Sequence, residues 1–350
     1  MTQYIKTLAK KQRDLDKKKI KPRREKLFFS LLPCTFSFLL CTLPACAETV
    51  KNSCPPKLVF NSSTAVASKV VEVTFQDWDK TCGNPENYIS SFEEMIRDIK
   101  QVNVVYLGEI HDNPEDHKKQ LKILHELYNR NPKIAIAMEM FQRPYQKVVN
   151  QYLAGKLTEK ELIEKSEYEK LWVFPWEYYA PILKFAKEKR LSVMALNTPS
   201  EITRKVSREG LESLTQYERK FIPLLSEIRT DNEEYRQKLQ TIFQQHQAAS
   251  HGNSADVEKF FQAQVLWDET MADGIAKFVK AHPNYQVIVL AGQGHIIYGY
   301  GIPDRVARRL KDKKFMQRSV LLSPPEKTNQ PKEKKAIADF ILQGEQGELR

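Results

Sequence analysis

The sequence predicts an α/β protein, a parallel-sheet core flanked by helices with a small helical insertion. Three observations lead there. Short apolar runs of strand length are separated by helix-patterned stretches, the arrangement expected of parallel strands joined by crossover helices. Each core run turns polar at the same end. The chain of 350 residues, 41% hydrophobic and 28% charged, is long enough for a sizeable core of ordinary soluble composition.

The N-terminus stands apart. Met1 to Lys26 holds eleven Lys/Arg against three Asp/Glu, a net +8 out of the chain's formal +11, so about +3 remains for the body. The basicity is a leader, and no nucleic-acid partner is expected. The uncharged block LFFSLLPCTFSFLLCTLPACA, Leu27 to Ala47, follows directly, and a basic cluster before an apolar run is the layout of an export signal over 1–47. Ala45-Cys46-Ala47 offers a small-x-small cleavage site before Glu48, while Leu43-Pro44-Ala45-Cys46 offers an imperfect lipobox that would leave Cys46 lipidated. Both an exported soluble product and a lipid-anchored one stay open, and membrane contact would run through the signal or the anchor. Cys54 and Cys82 are the only cysteines beyond this block; an exported chain would pair them or carry two free thiols.

Residues 48–89 read as a mixed segment with a strand at Val70–Phe75. The regular α/β domain is expected over 90–323. It opens with the helix SFEEMIRDIK, the strand Val102–Leu107, the helix Glu115–Asn129 and the strand Ile134–Met138. Helical stretches from Arg143 to about Glu188 lead to the strand Leu191–Leu196. Between 199 and 261 the Glu/Lys/Gln-rich sequence is helix-patterned without a strand, which reads as a helical insertion or lid. The strand Gln286–Ala291, the helix Asp304–Lys311 and the strand Phe315–Leu322 complete the core. The tail 324–350 is charged and Pro-containing and is expected to be poorly ordered, although AIADFIL has the composition to pair somewhere.

The candidate site comes from how the strands end. Val102–Leu107 runs into Gly108-Glu109-Ile110-His111-Asp112, Ile134–Met138 into Glu139, Leu191–Leu196 into Asn197, and Gln286–Ala291 into Gly292-Gln293-Gly294-His295. In parallel strands these ends share one edge, where open α/β sheets bind ligands. Glu109 and His111 point the same way only if the chain stays extended through Asp112, which also serves as a candidate N-cap for the next helix. His117 lies on an apolar helix stripe, as a core histidine or as part of the site. Glu139 beside a core strand needs a partner, either Arg143 or a cation. In FFQAQVLWDETMADGIAKFV the apolar stripe is broken by Gln264 and Asp268, which are placed to support the strand-end loops or to satisfy local backbone. The aromatic segment LWVFPWEYYAP reads as a roof for a flat ligand or as core. No P-loop, G-x-S-x-G, H-E-x-x-H or C-x-x-C pattern is present in the sequence.

The blocks LGEIHDN, MEMFQRP, PWEYYAPILKFA, ALN, QVLWDETMA and AGQGHIIYGYGIPDRVARR, in this order from about Ser90 to Leu322, resemble the ChaN-like haem-binding lipoprotein family. The broader group includes Tiki-type proteases and erythromycin-esterase-like proteins. The resemblance implies a parallel α/β core, haem as cofactor, a role in iron uptake at the bacterial envelope or periplasm, and tyrosine as the iron ligand, with Tyr178, Tyr179 and Tyr298 as candidates by proximity to the motifs. For the wider group it implies metal-assisted hydrolysis as an alternative, a divalent ion held by His111, Glu139 and His295 with Glu109 as general base. A homodimer stays open.

Overall fold

The computed structural model describes residues 71–74, 86–249, 256–325 and 335–343. The leader, Cys54 and Cys82 lie outside them. The strands are β1 (Val71–Thr74), β2 (Val104–Glu109), β3 (Ile134–Gln142), β4 (Ser192–Asn197), β5 (Gln286–Gly292), β6 (Gln317–Leu321) and β7 (Phe340–Gln343). The α-helices are α1 (Glu86–Ile99), α2 (Pro114–Arg130), α3 (Gln146–Leu153), α4 (Glu159–Lys165), α5 (Tyr168–Leu171), α6 (Ala180–Glu188), α7 (Ser200–Glu209), α8 (Glu233–Ala249), α9 (Val257–Ala281) and α10 (Ile302–Leu310). The α/β class read from the sequence holds.

The strands form one seven-stranded sheet in the order β1-β7-β6-β2-β5-β3-β4, and every pair runs parallel. Both faces are covered. Alternate residues of the central strands, Val105, Leu107, Ile136 and Met138, pack with α1, α2 and α6 on one side, while Val104, Tyr106, Ala137 and Val289 pack with α9 and α10 on the other. Residues 199–249 add helices and short 3₁₀ turns, and they build a third apolar cluster from Ile202, Val206, Tyr235 and Leu239 against the first half of α9.

β2 and β4 are shifted by one or two residues toward their carboxyl ends and β6 is shorter than expected, while two larger differences have physical reasons. AIADFIL, in the segment read as tail, supplies β7, which closes the edge between β6 and β1 and satisfies backbone groups there. Ile134–Met138 continues through Gln142, with a break in register against β4 between Met138 and Gln142. Such an irregularity bends the strand and re-aims a side chain. Glu139 lies inside it.

The connections place the site. β2 is followed by α2 on one face of the sheet, and its neighbour β5 is followed by α10 on the opposite face. Loops leaving in opposite directions open a crevice between the carboxyl ends of these two strands.

Candidate functional site

At that crevice two carboxylate–imidazole pairs converge on a third carboxylate. Glu109, the last residue of β2, is buried, and its Oε1 accepts from His111 Nδ1 at 2.7 Å and from the Tyr179 hydroxyl at 2.5 Å. Its Oε2 accepts from Gln120 Nε2 and stands 3.8 Å from His117 Nδ1. Burial pushes this carboxyl upward, but the hydrogen bond and charge of His111, with His117 and Tyr179, hold it below the ordinary range. The strand ends at Glu109 and the chain turns at His111, so His111 returns to Glu109 through a turn and not through extended backbone. The cap of α2 is Asn113, not Asp112, because the Asn113 side chain accepts from Glu115 N.

The second pair mirrors the first. His295 Nδ1 donates to Asp268 Oδ1 at 2.6 Å, and Asp268 Oδ2 accepts from Tyr235 at 2.7 Å. Gln264 Nε2 is 3.2 Å from the same ring nitrogen. Asp268 therefore serves His295, and Gln264 lies beside the same ring. Between the pairs lies Glu139, fully buried, with Oε2 accepting from Gly292 N at 2.8 Å. His295 Nε2 is 3.5 Å from Glu139 Oε1, and His111 Nε2 is 4.0 Å from Oε2. Oε1 makes no hydrogen bond. Burial lowers the His295 imidazole, yet Glu139 and Asp268 on either side carry it up to about 10. Burial likewise raises Glu139, and His295, His111 and Gly292 bring it down to about 2.

Each imidazole also stands against a tryptophan, His111 beside Trp172 and His295 beside Trp267, both at 4.9 Å between ring centroids. Phe174 lies 4.9 Å from His111 as well. The aromatic segment thus packs directly over the cluster as its own roof. Gly292 is required by this packing, since a Cβ there would stand 2.7 Å from His111 Nε2. Gly301 is required by the following loop, where a Cβ would lie 2.1 Å from the His295 carbonyl oxygen.

Other expected residues fall near or away from this centre. Asn197 Nδ2 donates to the Glu139 carbonyl at 2.8 Å. His117 is buried, stacked on Tyr178 at 4.7 Å, with Nε2 held 3.1 Å from the His111 carbonyl, so the core role and the site role coincide. Arg143 does not pair with Glu139; its guanidinium goes to Asp273 at 3.1 Å and to the Thr270 carbonyl, because the chain turns away after the irregular end of β3. Tyr298 stacks on Tyr300 and joins the third apolar cluster. Among the described residues no group of three or more His, Cys, Asp or Glu is arranged to hold a metal ion. His295 Nε2 and His111 Nε2 both face Glu139, which neutralises the His295 imidazolium.

Gln120 and Tyr235 complete the cluster without having been singled out in the sequence. Gln120 carried a signal, since it lies one turn from His117 on the same stripe of α2; Tyr235 carried none. A second feature lies at the same rim of the sheet. A groove of about 360 Å³ at the carboxyl ends of β3 and β4 is lined by Gln142, Tyr145, Lys170, Arg204, Tyr217 and Phe221 among others.

A parallel α/β sheet with a buried carboxylate–imidazole cluster at its carboxyl rim defines a class, and residues 95–306 match the family described as haem-binding uptake, Tiki superfamily, ChaN. The chain belongs to this family. A ChaN of Campylobacter jejuni, whose structure shows cofacial haem binding, has the same fold, with a TM-score of 0.54 and 20% identity over 72% of this chain and 91% of that one. An erythromycin esterase EreC mutant in its open conformation aligns with a TM-score of 0.40 and 15% identity over 67% of this chain and 72% of the other. Protein RETICULATA-RELATED 5, chloroplastic, of Arabidopsis thaliana is 27% identical over 257 residues, 69% of this chain. The chain spans about a third, 34%, of that relative's length.

Proposed function

We propose that this protein binds haem in the groove at the carboxyl ends of β3 and β4. Membership in a family of haem-binding proteins carries the reading, and the lining of the groove supports it. Its volume lies at the small end of the range, about 300–1,000 Å³, usual for ligand sites, so one edge of a porphyrin stays open to solvent. Phe221 and Leu171 offer apolar contact, and Lys170 and Arg204 offer charge to the propionates. Haem supplies an iron that takes a phenolate ligand. Tyr179 is a poor source, because burial and then Glu109 hold its phenol well above the ordinary value. Tyr145 donates to Glu167 at 2.6 Å and is pushed up to about 12, by burial first and then by Glu167. Tyr217 is 67% exposed at the mouth of the groove and has Lys220 5.6 Å from its ring, which makes it the proposed iron ligand.

Titration with haemin should give a saturable Soret band, and Tyr217→Phe should shift that spectrum while Tyr178→Phe leaves it unchanged. Absence of a saturable band with folded protein overturns haem binding. An unchanged spectrum in Tyr217→Phe moves the ligand out of the groove.

A second reading has its own observation, the Glu109–His111 pair. An imidazole whose Nδ1 is tied to a carboxylate keeps Nε2 as a proton acceptor, the orientation used in general-base hydrolysis. Hydrolysis of an ester or peptide panel that disappears in His111→Ala would establish it; turnover equal to wild type would remove it. Export directed by residues 1–47, with the product in the bacterial envelope, is likewise a proposal. Its test is the N-terminal sequence of the mature protein, which should begin at Cys46 or Glu48.

A further inference from the structure

Away from both sites, the face between α9 and α10 collects more positive charge than its own carboxylates neutralise. Arg305, Arg308 and Arg309 recur at helical spacing on α10 and converge on Glu269, the neighbour of Asp268 on α9. Glu269 is fully buried. Its two oxygens accept from Arg308 Nη2 at 2.6 and 2.7 Å, from Arg309 Nη1, and from the Arg229 backbone N–H at 3.0 Å. Arg305 Nε lies 3.5 Å away without a hydrogen bond, its Nη1 being spent on the carbonyls of Tyr300 and Gly301. One carboxylate therefore faces three guanidinium groups. Burial lowers Arg308 below its ordinary value, and Arg309, Arg305 and Arg229 add to that against Glu269.

Arg309 is the informative member. Its side chain is only 9% exposed, and Nη1 is committed to Glu269. Nε and Nη2, the two donors on one edge of the guanidinium, are buried and make no hydrogen bond. That edge is a side-on fork, the geometry that takes two oxygens of one carboxylate or phosphate in parallel hydrogen bonds. Leaving two donors of a charged group buried and unpaired is unfavourable, so the fork calls for an acceptor. The nearest carboxylate oxygen with which it is paired is Glu227 Oε2, 3.9 Å from Nη2, on a side chain 49% exposed. At that distance no hydrogen bond is formed.

We infer that the side-on edge of Arg309, backed by Arg305 and Arg308, is a binding site for a small oxyanion of the phosphate or carboxylate type, with Glu227 at its margin as a competing carboxylate. This site is separate from the Glu/His cluster and from the haem groove. It neither rests on haem binding nor fails with it.

The test uses the full chain in thermal unfolding at constant ionic strength, with inorganic phosphate, acetate or chloride as the varied anion. Phosphate is expected to raise Tm in proportion to the logarithm of its concentration once above Kd, by roughly 5–10 °C at a hundredfold excess over Kd. A matching rise with acetate would make the site general for oxyanions, and a rise with phosphate alone would make it a phosphate site. Arg309→Lys keeps the charge toward Glu269 but lacks the fork, and should weaken the apparent phosphate affinity at least tenfold. Glu227→Gln should strengthen it several-fold by removing the competitor. Equal effects of chloride and phosphate, or full retention of the phosphate effect in Arg309→Lys, overturn the inference. Should Arg309→Lys not fold, ³¹P line broadening of phosphate by the wild-type protein decides: a linewidth unaffected by protein overturns the site.

Discussion

Raising the pH should destabilise this protein through one residue, His295. Its imidazole is held at about 10 in the folded protein, against roughly 6.5 for an unfolded chain. A proton bound more tightly in the folded state contributes stability that is fully present below the unfolded value and is lost as pH rises through the folded one. Between pH 6.5 and 9 the folded state keeps a proton that the unfolded state has released, and stability falls by about 1.4 kcal/mol per unit, or roughly 3 kcal/mol over the interval. For a domain of this size that is a fall in Tm of roughly 6–12 °C. Asp268→Asn removes one of the two carboxylates that hold the proton, so it should lower Tm at pH 6 and flatten the slope above it. The assay is thermal unfolding of both proteins at half-unit steps from pH 6 to pH 9, comparing slopes so that titrations common to both cancel. A wild-type Tm flat across this range, or the same slope in Asp268→Asn, would refute the charged sandwich.

Two substitutions probe the packing around that sandwich. Gly292→Ala brings a Cβ within 2.7 Å of His111 Nε2, on a ring already pinned by Glu109, Trp172 and Phe174. Overpacking of this kind costs about 1–3 kcal/mol, a drop in Tm of roughly 2–12 °C, and a Tm unchanged from wild type would mean that the ring is not held there. Tyr179→Phe deletes the donor 2.5 Å from Glu109 Oε1 in a buried setting. Loss of a hydrogen bond to a buried charge should lower stability by about 1.5–3 kcal/mol in urea unfolding, and a midpoint at the wild-type value would show that Gln120 and His111 already suffice.

The sheet was legible because each core strand is a short, nearly uninterrupted apolar run, the mark of strands covered on both faces. Its order was not. β5 enters between β2 and β3 although more than 140 residues of chain separate it from either, a pairing that no local pattern encodes. β7 was legible only as a segment able to pair: its four residues lie in a charged setting, and they gain strand structure from β1 and β6 on either side.

The same division explains the site. Glu109, His111, Glu139 and His295 stood out because ionisable groups directly after apolar strands are unfavourable unless something gathers them, and the parallel order gathers them at one rim. What each group does once there depends on tertiary detail. Glu139 faces the imidazoles, and Arg143 goes elsewhere, because β3 changes register between Met138 and Gln142. Tyr145, Lys170, Arg204 and Tyr217 come from four separate segments, each of which reads as ordinary surface, and only the helical insertion meeting the ends of β3 and β4 makes them one groove. The buried cluster and the open groove accordingly have different physical roles. Most of the cluster's polar atoms are held by its own partners, and it is roofed by Trp172 and Phe174, so it fixes the loops after β2 and β5, while the groove keeps exposed side chains that a ligand can still engage. Mutations in the cluster should therefore register first in stability, and mutations in the groove first in the affinity of the proposed haem site.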